Sequence, residues 1–148
     1  MNYGRMLGQY ERTSVESATK EELVVLCYEK TIQFLGQAQR YYADREYAKK
    51  GLALQKALNI INELQSSLDF ENGGQIARNL DRIYAYVTQR LLLADFNMDL
   101  PVFDEAIRML DELKQAWQHA ASINEGAVGS AEAASARPNE GQSRVAAA

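Results

Sequence analysis

The chain has 148 residues, 47% apolar and 24% charged, with two prolines and nine glycines, which fits one soluble globular domain and excludes collagen-like or proline-rich architectures. A formal net charge of -4 leaves no basic surplus for neutralising phosphates, so nucleic acid is not the expected partner. One cysteine and one histidine make neither an internal disulfide nor a common structural zinc site.

Residues 1–18 are mixed, with Leu7, Tyr10 and Val15 as isolated apolar points among polar neighbours, and read as an N-terminal arm. The segment lacks the apolar stretch of a secretory signal, and no run in the chain approaches the roughly 20 apolar residues of a membrane span. Thr19 followed by Glu22 has the spacing of a capping box, in which hydroxyl and carboxylate satisfy free backbone N–H groups at a helix start.

From there Leu23, Leu26, Cys27, Thr31, Phe34 and Ala38 recur at three- and four-residue steps, while Val24, Tyr28, Ile32, Leu35 and Tyr42 widen the apolar surface beyond one stripe. Asp44 is the expected cap of a second helix built on Leu54, Leu58, Ile61, Leu64 and Leu68. Ser66 to Gly74 breaks the pattern, with Asn72, Gly73 and Gly74 favouring a turn. A third helix follows, its buried face expected at Ile76, Leu80, Ile83, Val87, Leu91 and Ala94. Asp99, Leu100 and Pro101 start a fourth, since proline is tolerated in a first turn, and Phe103, Ala106, Ile107, Leu110, Leu113 and Trp117 supply its core.

Beyond Ser122 the composition turns to Ala, Gly, Ser, Glu and Asn. Such a segment has little to bury against its ordering entropy, so 123–148 is expected to be a disordered tail. Residues 19–122 are then one all-α domain, an antiparallel four-helix bundle.

Catalytic chemistry is not in view. The chain has no Walker A loop, no dinucleotide fingerprint, no nucleophile elbow and no paired Glu-x-x-His ligands for a di-metal site, so no enzyme, cofactor or metal is expected. Cys27 has Leu23, Val24 and Thr31 as helical neighbours and reads as a small core residue. The eight tyrosines are informative as a group, because an apolar body with a polar tip suits a surface that is sometimes covered.

Tyr10, the stretch SVESATKEELVVLCYEKTIQFLGQA from Ser14 to Ala38, and SSLDFENGGQIARNLDRIYAYVTQRLLLAD from Ser66 to Asp95 closely resemble the FliS flagellar secretion chaperones. SSLDFENGG followed by IARNL, Tyr84 and Tyr86 carries most of the specificity. Lys20, Glu29 to Thr31, and Asp95 depart from the common pattern. The resemblance implies a cytosolic export chaperone that binds the disordered C-terminal region of flagellin, prevents its premature polymerisation and supports delivery to the export apparatus.

Apolar surface beyond the core suits that mechanism, since an amphipathic segment can dock in grooves between helices. Tyr28, Ile32, Phe70, Tyr84 and Leu91 are the expected contacts, with Leu7, Tyr10 and Val15 of the arm, while Leu58 and Ile83 are expected in the core. A self-associating helical module, with a homodimer built on the same apolar positions, is the alternative reading.

Overall fold

The computed structural model describes residues 18–134, with backbone alone for Ala121 and 124–134. Among these residues there are four helices and no strand: α1 Lys20–Ala43, α2 Tyr47–Ser66, α3 Phe70–Asn97 and α4 Leu100–Ala134. The connecting loops, 44–46, 67–69 and 98–99, are so short that successive helices must run antiparallel. α1 packs against α2 and α4, and α3 against α2 and α4, so α1 and α3 stand on one diagonal of the bundle.

α1 begins as the Thr19 spacing requires, with Thr19 accepting from the Glu22 N–H at 3.2 Å while the Glu22 carboxylate accepts from the Thr19 N–H at 3.4 Å. Its end differs from the sequence expectation. Asp44 does not cap α2; it closes α1, where Arg45 turns left-handed at φ 59°. The Arg45 and Glu46 N–H groups then reach back to the carbonyls of Tyr42 and Tyr41. This is the Schellman arrangement, in which the closing bonds of one helix use up the residues available to cap the next. α2 accordingly starts at Tyr47, and its N-cap Glu46 makes no side-chain capping bond.

α3 is capped by Asp69, whose carboxylate accepts from both the backbone and the side-chain N–H of Asn72 at 3.0 and 2.7 Å. Those bonds hold the Asp69 carboxyl below its ordinary carboxylate range, the backbone N–H of Asn72 contributing most. The helix is interrupted at Gly74, with φ 53° and ψ -127°, so the break expected around 72–74 is real but narrower than Ser66 to Gly74. α3 ends at Met98, which is left-handed at φ 58°.

α4 continues to Ala134, past the Ser122 boundary that composition suggests. Alanine and glutamate are strong helix formers, so a segment too poor in large apolar residues to join a core still extends a helix already nucleated. Residues 135–148 lie outside the described residues.

The core collects Val24, Cys27, Tyr28, Phe34, Leu35 and Ala38 from α1 with Leu54, Ala57, Ile60, Ile61 and Leu64 from α2. α4 adds Val102, Phe103, Ala106, Leu110 and Trp117. α3 contributes Ala77, Leu80, Tyr84, Val87, Leu91 and Ala94. This is one residue out of the expected register at two positions, for Ile76 is exposed and Ile83, like Leu58, packs only at the edge of the core.

The two glycines Gly51 and Gly74 should respond oppositely to alanine, since a Cβ meets nothing within 4 Å at either site. At Gly74 the backbone conformation is accessible essentially to glycine alone, and we expect Gly74→Ala to destabilise by about 1–3 kcal/mol. Gly51 sits in the interior of α2, and we expect Gly51→Ala to stabilise by about 0.4–1 kcal/mol. Urea denaturation of both variants checks the pair.

Candidate partner-binding surface

The expected contact residues fall into three groups. Tyr28, Tyr84 and Leu91 are buried in one apolar cluster, Leu91 on the buried face expected of α3 and the two tyrosines inside the core rather than on an open surface. The Tyr28 and Tyr84 hydroxyls hydrogen-bond to each other across the α1–α3 diagonal, with ring centroids 6.5 Å apart. Inside a core a hydroxyl must find a partner, and these two meet that demand together. Ile32 packs at the edge of the cluster, and Phe70, at the start of α3, is 47% exposed. Leu7, Tyr10 and Val15 lie outside the described residues.

Turning Tyr84 inward turns other residues out. Ile76, Tyr86, Leu92, Leu93 and Phe96 on α3 are all exposed, and Phe96 is 85% so. Ile76 and Leu80 on α3 face Leu113, Ala116 and Trp117 on α4 across an open cavity of about 130 Å³ with apolar walls. Since the helices alternate in direction, this cavity lies toward the end of the bundle where α1 begins and the arm leaves it.

Sequence reasoning assigned Ile76 and Trp117 to the core and did not single out Leu92, Leu93 or Phe96. A signal for the latter was available, because all three fall on the side of α3 opposite the Leu80, Val87, Leu91 and Ala94 stripe at 100° per residue.

Polar contacts fix how α3 sits between its neighbours. Toward α4, the Arg90 guanidinium pairs with Glu105 at 3.0 Å and the Tyr86 hydroxyl donates to the same carboxylate at 3.1 Å. The Arg90 hydrogen bond lowers the Glu105 pKa most, the Tyr86 bond next, and the same pairing raises that of Arg90. Toward α2, Gln65 donates to Asp81 at 2.9 Å and Lys50 pairs with Asp95.

No group of three or more His, Cys, Asp or Glu side chains could hold a metal among the described residues. No helix there is long and apolar enough to cross a membrane. Cys27 is fully buried, and burial, with the Glu63 charge adding to it, pushes its thiol from 9.0 up to about 12.

With this geometry in hand, comparison with known proteins is specific. The family described as flagellar protein FliS matches residues 3–124. The chain is 33% identical to the flagellar secretion chaperone FliSB of Pseudomonas aeruginosa over 117 residues, 76% of this chain and 93% of that protein. It is 35% identical to the flagellar secretion chaperone FliS of Salmonella typhimurium, covering 74% of this chain and 84% of the relative. The Bacillus subtilis chaperone of the same name is 27% identical, with 75% and 82% covered.

The buried thiol gives a pH-dependent expectation. Its folded pKa is raised, so the neutral form is favoured in the native state and unfolding releases a proton once the pH exceeds the unfolded value of about 8.5. That contribution to stability is complete below that pH and is lost progressively as pH rises toward the folded value of about 12. We expect denaturant midpoints to fall above about pH 9 and the fall to be shallower in Cys27→Ala. A thiol reagent should label wild type only as fast as the protein opens.

Proposed function

The chain belongs to the FliS family, and from that membership we propose that it binds the C-terminal segment of flagellin in the cytosol, keeps it from polymerising, and supports its delivery to the flagellar export apparatus. The observation that carries this reading is the open apolar cavity between α3 and α4, lined by Ile76, Leu80, Leu113, Ala116 and Trp117. An open apolar groove of this kind suits a segment that is unstructured until it is bound. Each Å² of apolar surface it covers contributes about 25 cal/mol toward the ordering entropy of the segment.

Phe70 extends the apolar surface beyond Ile76 at the same end of α3, and the arm residues Leu7, Tyr10 and Val15 enter the sequence next to that end. We place the flagellin contacts there. Tyr28, Tyr84 and Leu91 act from inside, by holding α3 in the register that exposes Ile76.

Trp117 is the only tryptophan of the chain and lines the cavity, so it reports occupancy directly. Titration with flagellin should shift its emission and yield a 1:1 complex, and flagellin without its C-terminal segment should do neither. Ile76→Ala should weaken binding while leaving the melting temperature nearly unchanged. Ile61→Ala, at a fully buried position, should instead destabilise the protein by about 2–5 kcal/mol. An unchanged Trp117 spectrum with full-length flagellin would refute the cavity as the site, and self-association without flagellin binding would favour the helical-module reading.

A further inference from the structure

Asn72 is the one asparagine of the chain followed by glycine. The pair stands in the first turn of α3, where Asn72 is exposed and Gly73 is buried. Asparagine is a thermolabile residue because its side-chain carbonyl can be attacked by the backbone nitrogen of the next residue, and a following glycine, having no side chain, hinders that attack least.

Two restraints hold the reaction back. Ring closure requires Asn72 to leave the α region, since in a helical backbone the Gly73 nitrogen does not face the side-chain carbonyl. That nitrogen is also engaged, its N–H donating to the Asp69 carbonyl at 2.7 Å. Asp69 adds two further bonds from its carboxylate, which accepts from the Asn72 backbone N–H at 3.0 Å and from the Asn72 side-chain amide at 2.7 Å. Its carboxyl lies below the ordinary carboxylate range, chiefly through the Asn72 N–H, so a negative charge stands beside the proton that Gly73 has to lose.

Gly74 sets how often these restraints are released. At φ 53° and ψ -127° it interrupts the helix directly after Gly73. The turn 70–73 is therefore not continuous with the long part of α3 and can open without unfolding of the bundle. Little apolar contact opposes that opening, for Phe70 is already half exposed.

We propose that Asn72 is a site of spontaneous deamidation, shielded by Asp69 while the first turn of α3 is closed and reactive each time that turn opens by itself. In the open turn the Gly73 nitrogen bonds to the side-chain carbonyl carbon of Asn72, the carbon–nitrogen bond of the amide breaks, and the departing ammonia carries off the Gly73 proton. Water then opens the cyclic imide. Attack at the former side-chain carbonyl leaves aspartate, and attack at the former backbone carbonyl leaves isoaspartate, whose main chain is longer by a carbon. Either product replaces a neutral amide with a carboxylate next to Asp69, and isoaspartate also shifts the Gly73 N–H away from the Asp69 carbonyl. The modified turn recloses less readily, so the conversion releases Phe70 in one direction only. The inference does not rest on the flagellin reading.

The test holds the full chain in mildly alkaline buffer with and without denaturing urea, while peptide mapping by mass spectrometry follows the change from amide to acid at position 72 and separates aspartate from isoaspartate. Wild type should convert at Asn72 ahead of every other asparagine, about tenfold or more slowly when folded than in urea. Asp69→Ala should raise the folded rate severalfold and leave the rate in urea unchanged. Ile61→Ala weakens the whole bundle through its core and should leave the folded rate unchanged, because the turn opens without it. Asn72→Gln should remove the signal. A folded rate equal to the rate in urea overturns the inference, as does a folded chain that never converts at Asn72 while the unfolded chain does. Failure of Asp69→Ala to accelerate the reaction, or an equal acceleration by Ile61→Ala, overturns it as well, since protection would then belong to the bundle and not to the turn.

Discussion

Two tyrosine hydroxyls in the middle of an apolar bundle impose a condition that aliphatic side chains would not. Tyr28 and Tyr84 lie on helices that do not neighbour each other around the ring, and their side chains span the diagonal so that each oxygen has the other within hydrogen-bonding reach. A rotation of α3 by one residue would point Tyr84 toward a neighbouring helix and break that contact, losing a hydrogen bond that contributes about 0.5–1.5 kcal/mol. The pair thus selects one rotational setting of α3, and everything α3 displays outward follows from that setting.

The remaining helices are held differently. α1 approaches α2 and α4 closely along its length, and the buried residues there include Cys27, Thr31 and Ala38 on α1, Ala53 and Ala57 on α2, and Ala106 on α4. Small side chains let backbones draw together. α3 approaches its neighbours less closely and meets them through Leu80, Tyr84, Val87 and Leu91. The groove between α3 and α4 remains partly unfilled at the Ile76 end. The same feature that loosens the packing of α3 provides the cavity.

What could be read from the sequence was what is decided locally. The capping box at Thr19 and Glu22, the tolerance of Pro101 in a first turn, and the existence of four apolar stripes all depend on residues within one or two turns of each other. The end of α1 was misread because Asp44 is equally suited to precede a helix or to follow one. The choice fell to backbone bonds closing at Arg45 and Glu46. The register of α3 was misread because Ile76 and Ile83 are more apolar than Ala77 and Tyr84, so a count of hydrophobic residues chooses the wrong set. Only the presence of Tyr28 on the opposite corner, 56 residues away in sequence, makes tyrosine the better core residue. Placing Tyr28 and Tyr84 on a binding surface followed from the same count, which filled the core positions with aliphatic residues. Phe96 went unremarked although its position opposite the buried stripe of α3 marks it as exposed.

The segment SSLDFENGG, which carries the family likeness most specifically, has a physical task visible at the start of α3. Asp69 accepts from Asn72 twice and its carbonyl accepts from the Gly73 N–H at 2.7 Å, so Phe70 to Gly73 form a self-contained turn. Gly74 then leaves the helical region before the helix resumes. An uninterrupted helix would fix the angle between Phe70 and Ile76 at 100° per residue, six residues apart. The break removes that restriction and lets each be oriented by its own surroundings, and both emerge half exposed at the same end of the bundle. Substituting a residue with a Cβ at Gly74 would favour continuous helix and restore the fixed angle. A segment that looks like a loop in composition is thus an orienting device, and the identities of Asp69, Asn72 and Gly74 matter more for where Phe70 points than for any contact they make with a partner.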